Sequence, residues 1–355
     1  MNNIFDMSVQ VNDGLTQTNA SAVETAFDTK YGIIFCAYLT GFGNYGEQRG
    51  VVGLSYFPAT QPTNSRTITV AEEEGLYEPN ILGLGNGCVR IFYVKSSGDK
   101  IYYYKDFNFI TRELTEEKQV CVKINNDTFP IHPDWYKNYL LKKGYNDFET
   151  AEYKGHGLIL TSNLKRYDNT VYGTLTSYDY YPIIFRSDDN MATITPICIY
   201  PIICDFELDI CLKDNIIHSV ARCHDGTIKY NTSDDMGKTW SDPVILENGC
   251  MCRPQIMTFR DQILIGYNIK DENTGHRPRY SDRTHIKLLL GNSPDPNKNE
   301  CILDYHSIYG VVYFRLVDIL GDLYMAYSDS RIGLETLNTD DREEDGKEAI
   351  RWVKL

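Results

Sequence analysis

Short runs of apolar or alternating residues recur along the chain, and each is followed by a polar, turn-rich stretch. Six such runs lie at 50–55, 100–104, 183–187, 227–233, 285–290 and 349–355, and a second series precedes them at 32–38, 88–93, 157–160, 216–220, 262–267 and 322–327. Runs this short, with a period of two, read as strands, because successive side chains of a strand point to opposite faces. Most neighbouring runs are about 45 to 60 residues apart, the length of a four-stranded unit, and the two series pair into six units. The pattern predicts an all-β fold, a six-bladed β-propeller of four-stranded antiparallel blades, occupying residues 1–355 as a single domain. The gap between the second and third units is longer and holds the helix-like run 134–143, closed by Gly144. An insertion on the propeller rim is therefore expected at about 112–150.

Composition supports strands and narrows the partners. Tyr (27), Gly (26) and Phe (14) are plentiful, which favours strands and turns over helices. Thirty-five Lys and Arg stand against 49 Asp and Glu, a net charge of −14, so the chain is read as binding neither nucleic acid nor an anionic membrane surface. No stretch approaches the roughly 20 apolar residues that span a bilayer. The start, MNNIFDMSVQVNDG, lacks the basic and apolar regions of a signal peptide, and the ten Cys lie mostly inside apolar runs, where a free thiol acts as a small hydrophobe. A cytoplasmic protein is expected, or a secreted or periplasmic one if a leader has been trimmed.

The sharpest local motif is Ser233-Asp234-Asp235-Met236-Gly237-Lys238-Thr239-Trp240, of the form Ser-x-Asp-x-Gly-x-Thr-Trp. A turn-forming Gly, side-chain oxygens that bond the local backbone and an anchoring Trp make it an Asp-box. A worn copy, Ser187 to Ile194, keeps Ser, Asp and Thr at the same offsets but has Met191 for Gly and Ile194 for Trp. Such a turn marks a blade and lies on the outer rim, so its reading is structural.

With these features the chain resembles the sialidase (neuraminidase) superfamily of six-bladed propellers. The resemblance spans most of the chain as architecture and is residue-specific from about 203 to 330. It implies a Glu early in a central blade followed by an Arg, which Glu207 and Arg222 match; an Arg heading a later strand, matched by Arg283; and a Tyr opening the last blade, matched by Tyr313. By this resemblance Tyr313 is the nucleophile of a retaining glycosidase, Glu207 its general base, and Arg222 and Arg283 the clamp on a sugar carboxylate. The chemistry fits those residue types. A carboxylate on the anomeric centre repels an Asp or Glu nucleophile, whereas a neutral Tyr activated by Glu can attack. A guanidinium fork matches two carboxylate oxygens at once.

The chain departs from the family pattern at two points. The stretch 18–24, where a further clamp Arg is expected, has none, and the loop 40–50 offers Glu47 in place of the family's acidic Asp, with Arg49 as a substitute cation. Geometry alone suggests a further set, since the opening residues of each innermost strand ring a propeller's axis: Glu24, Glu78, His156, Glu207, Arg253 and Tyr313. These are polar types where packing alone would accept Val or Ser. His276, Arg277, Arg279 and Arg283 add a cationic segment in an acidic chain, which suits an anionic small ligand.

The candidates are therefore Tyr313, Glu207 and Glu47 for catalysis, and Arg222, Arg283, Arg253, Arg49, Glu78 and His156 for binding an acidic oligosaccharide or glycoconjugate. Each has a plainer reading as well: Glu207 and Arg222 as a structural ion pair, Tyr313 as strand packing, Arg277 and Arg279 as solvated loop residues. No cofactor and no metal is expected. Cys250-Met251-Cys252 is too tightly spaced for a zinc half-site, and neither a phosphate loop nor a nucleophile elbow is present. Two alternatives stay open: a polysaccharide lyase acting on a uronate through His156 and Tyr313, and a non-catalytic glycan-binding propeller.

Overall fold

The computed structural model describes residues 8–11, 21–40, 49–95, 101–145, 158–160, 162–249, 253–269, 285–306, 311–329 and 349–355. Among them the fold is nearly all-β, built from six sheets that are antiparallel but for one pairing, with one α-helix, Pro133–Lys142. In chain order the first sheet is Ser21–Asp28, Ile33–Thr40, Arg49–Pro58 and Arg66–Glu74; the second runs from Leu76–Gly85 through Cys88–Lys95 and Tyr102–Asn108 to Lys118–Gln119. The fourth opens with the short edge strand Tyr178–Tyr180 paired to Cys204–Lys213, the fifth is headed by Gln255–Phe259, and the sixth by Val311–Ile319. The short strand Val9–Gln10 pairs with Ala349–Lys354 in the sixth sheet, so both ends of the described chain share one sheet.

Local chemistry explains the repetition. Four sheets join their first two strands by the same two-residue hairpin, with both residues at positive φ: Asn86-Gly87, Asp214-Asn215, Arg260-Asp261 and Leu320-Gly321. This backbone twist matches that of the flanking strands, which is why two-residue loops adopt it. Alternation then sorts the faces, as at the start of Thr227–Ser233, where Ile228 and Tyr230 are buried while Thr227 and Lys229 are only partly covered.

Six apolar clusters sit between consecutive sheets. Ile34, Cys36 and Phe57 of the first sheet pack with Val317, Ala326 and Trp352 of the sixth, and Cys211, Val220 and Tyr230 of the fourth pack with Ile256, Ile263 and Ile265 of the fifth. Each sheet thus buries both faces against its neighbours, which leaves the start of its first strand as the place where polar groups can meet. The arrangement is consistent with a propeller. No helix among the described residues is long and apolar enough to cross a membrane.

The structure differs from the sequence reading in the third sheet. The run 157–160 falls in the series that supplies the other sheets' second strands, yet Ile159–Leu160 is the innermost strand, in keeping with His156 as a strand-opening residue, and Thr170–Thr176 is the second. The signal of the true second strand is weakened by three Thr and by Gly173, whose missing side chain leaves room for the Phe185 ring. The expected insertion is also shared out. Glu113–Leu114 and Lys118–Gln119 complete the second sheet, and the hairpin Cys121–Ile124 and Asp127–Pro130 extends the third, joined in parallel to Thr193–Ile199. The helix starts at Pro133 behind His132, whose Nδ1 accepts from the Asp134 N–H at 3.1 Å. It buries Tyr136 and Leu140, one turn apart, and Tyr136 Oη donates to the Tyr181 carbonyl at 2.6 Å.

Candidate functional site

The first long strands of four sheets carry a similar irregularity near their start. Register shifts fall between Ser21 and Glu24, Tyr77 and Asn80, Cys204 and Glu207, and Val312 and Arg315. An extra residue in one strand re-aims the side chains beside it, and the residues at or inside these bulges include Glu24, Glu78, Glu207 and Tyr313. Glu78 and Tyr313 sit at φ +48° and +49°. For residues with bulky side chains that conformation costs on the order of 1–3 kcal/mol and persists only where the surroundings impose it.

Arg253 gathers these positions. It lies two residues before the first strand of the fifth sheet and is only 3% exposed. Its Nη1 donates to Glu24 Oε1 at 2.8 Å and its Nη2 to Glu78 Oε2 at 2.7 Å. The same guanidinium lies 5.7 Å from the centre of the Tyr313 ring, within cation–π range. Glu24 is fully buried and also receives a bidentate pair from Arg315, with Nε at 2.6 Å and Nη2 closing the fork. Five residues from four sheets therefore form one network of charges and a phenol.

Burial sets the electrostatics. Desolvation raises the Glu24 carboxyl above its ordinary value, against the pull of Arg315 and Arg253. Burial alone would weaken the Arg253 charge, but Glu78, Glu24 and Glu207 outweigh it and hold the guanidinium well above its ordinary pKa. That Glu207 acts on Arg253 places it on the edge of the same network. Glu207 is also the register partner of Arg222 and accepts from its Nη1 at 2.9 Å; the Arg222 side chain keeps 17% exposure. Nearby, Tyr102 Oη accepts the Leu160 N–H at 2.5 Å, and Asn80 Nδ2 donates to the carbonyls of Leu160 and Ser162, each at 3.0 Å, which ties the second sheet to the third.

Of the residues singled out from the sequence, Tyr313, Glu207, Arg222, Arg253 and Glu78 meet in this region, with Glu24 among the axis positions. Both terminal nitrogens of Arg253 are engaged by the protein's own carboxylates. Glu47, His156 and Arg283 lie outside the described residues, as do His276, Arg277 and Arg279; Arg49 is described in backbone only. The sequence reading missed Arg315. In a regular strand it would share a face with Tyr313, and the run Tyr-Phe-Arg-Leu-Val looks like ordinary packing. Its signal was an Arg inside an apolar run, which demands a buried carboxylate partner.

Outside the Arg253 network, two turns share one bonding scheme. Ser233 Oγ bonds Asp235 Oδ1 at 2.9 Å and accepts the Gly237 N–H at 2.7 Å, while Asp235 accepts both the N–H and the hydroxyl of Thr239 at 2.9 and 2.7 Å. Forty-six residues earlier Ser187, Asp189, Met191 and Thr193 make the same four bonds, at 2.9, 2.8, 2.8 and 2.8 Å. Trp240 meets Tyr200 edge-on, with centroids 5.0 Å apart.

No family model and no curated protein sequence matches this chain. Solved structures do. Over 98% of its length the chain is similar to a sialidase from Trypanosoma rangeli seen in complex with sialic acid, at 10% identity and a TM-score of 0.59. It spans 58% of that longer protein. It is similar over its whole length to the NanB sialidase of Streptococcus pneumoniae, at 12% identity, 71% coverage of that chain and a TM-score of 0.57. A protein of unknown function from Dyadobacter fermentans matches with 98% of each chain covered, 10% identity and a TM-score of 0.64. At such identities the likeness is one of fold, and the fold is sialidase-like.

Proposed function

We propose that the six sheets close into a propeller with Asp-box turns on its rim, and that the chain is a sialidase-like retaining glycosidase acting on a terminal acidic sugar. The observation that carries this reading is the convergence of Tyr313, Glu207 and Arg253 at bulged or opening positions of the sheets' first strands. Glu207 takes the phenolic proton as Tyr313 Oη attacks the anomeric carbon, and Glu47 protonates the leaving oxygen; water, deprotonated by Glu47, then displaces the tyrosine, whose Oη takes its proton back from Glu207. Arg222 and Arg283 hold the sugar carboxylate. The positive φ of Tyr313 supports the reading, because strain of that kind clusters at functional sites.

A second reading has its own observation. Arg222, Arg253 and Arg315 all face carboxylates of this chain, an arrangement that suits a glycan-binding propeller without catalysis. Incubation with a fluorogenic N-acetylneuraminic acid glycoside, and in parallel with uronic-acid glycans, separates the two. Release by the wild type, cut at least about 100-fold in Tyr313→Phe, supports the glycosidase. Binding without release of any product supports the lectin, and an unsaturated product would mark a lyase.

A further inference from the structure

We infer that His285, Asp304 and His306 form a site for a divalent transition-metal ion on the outer strands of the fifth sheet. The strands His285–Gly291 and Glu300–His306 are antiparallel neighbours, and His285 and His306 are direct register partners. Their imidazole rings stack with centroids 3.6 Å apart, at 27°. Asp304 lies two residues before His306 and so on the same face of its strand. His285 Nε2 stands 2.6 Å from Asp304 Oδ1, and one ligand atom from each of the three residues falls within 4.8 Å of the others.

That donor set selects its ion. Two neutral imidazoles and one carboxylate are the nitrogen and oxygen ligands that suit Zn²⁺, Co²⁺ or Ni²⁺, whereas Ca²⁺ and Mg²⁺ call for oxygen donors. The stacked rings bring a nitrogen donor from each of two neighbouring strands to one place. Lys287, the register partner of Asp304, is the competing cation on that face. Three protein ligands leave the fourth position of a tetrahedral ion for water or an incoming group.

The position is informative as well. Gln255, just after Arg253, pairs with Gly266, and that strand runs on to Ile269, the partner of His285. The three ligands therefore stand at the end of the fifth sheet that carries the candidate site, but on its outer strands. A metal there would pin those two strands together and take no part in chemistry at Tyr313.

Metal-free protein titrated with Co²⁺ and then Zn²⁺ tests the assignment. One equivalent of Co²⁺ should give visible d–d bands without the charge-transfer absorption of thiolate ligands, and Zn²⁺ should displace it and raise the thermal midpoint. His306→Ala, on an exposed strand, should weaken Zn²⁺ binding about 10- to 100-fold while leaving the metal-free midpoint in place. Lys287→Met should tighten it. An absence of stoichiometric binding, a thiolate spectrum, or an affinity untouched by both His306→Ala and His285→Ala would each overturn the proposal.

Discussion

The turn at 233–239 and the network around Arg253 are both built from side-chain oxygens and nitrogens, yet they are assembled over very different spans of chain. In the turn every bond joins residues two or four apart. Around Arg253 the bonds join residues separated by 229, 175 and 291 positions. The turn is also partly exposed and replaceable, since the copy at 187–193 keeps all four bonds with Met191 where the other has Gly237. The network around Arg253 is buried and has no local substitute. Local side-chain bonding tolerates drift, whereas a buried ion network built from four sheets stands or falls together.

The sharpest way to break this contrast is at Glu24. Glu24→Gln gives Arg315 a neutral partner and leaves Arg253 with Glu78 as its bonded carboxylate, and loss of one side of a buried ion pair costs about 3–5 kcal/mol. Chemical denaturation should show that loss, and a cost under about 1 kcal/mol would mean the network is not the keystone described here. Gly237→Met comes next. It imports the residue of the sister turn, but a Cβ at Gly237 runs into Cys198 Sγ, so a loss of about 1–3 kcal/mol is expected. A neutral result would make the two turns interchangeable.

A pH titration probes an intermediate span, twelve residues. His218 Nδ1 lies 2.7 Å from Tyr230 Oη, and burial, helped by Lys213, lowers its pKa from 6.5 to about 4. The folded protein therefore refuses a proton that the unfolded chain accepts. The contribution is fully present above pH 6.5 and fades as pH falls from 6.5 towards 4. After allowance for partial solvent access it amounts to about 1–2 kcal/mol. The decline should flatten in His218→Gln, and an unchanged slope would remove His218 as its source. The smallest effect belongs to the turns themselves: Asp235→Ala and Asp189→Ala should each cost about 1 kcal/mol and agree within about half of that. Unequal costs would show that the shared bonding scheme does not carry shared energy.

The same contrast of spans explains what could be read from the sequence. Ser233, Asp235, Gly237 and Thr239 announce their turn because the partners sit side by side in the chain. Tyr313, Glu207 and Arg222 were singled out by the resemblance to a family layout along consecutive strands, not by any local bonding pattern. Arg315 was missed because its inward aim depends on the bulge between Val312 and Arg315, which period-two alternation does not anticipate. The second strand of the third sheet was misplaced for a related reason. Thr170–Thr176 takes its burial from Phe185 and its neighbours rather than from an apolar pattern of its own. The helix at Pro133–Lys142, by contrast, carries its start and stop signals in its own residues.

The proposed glycosidase stands on Tyr313 as the nucleophile beside Arg253. Intact-mass analysis and peptide mapping after incubation with 2,3-difluorosialic acid test it most directly, because such a sugar is cleaved off the enzyme slowly and leaves the glycosyl group on the residue that attacked. The expected result is one adduct per chain, located on Tyr313 and absent from Tyr313→Phe. An adduct on another residue, or turnover of a sialoside without any adduct on Tyr313, would contradict the account.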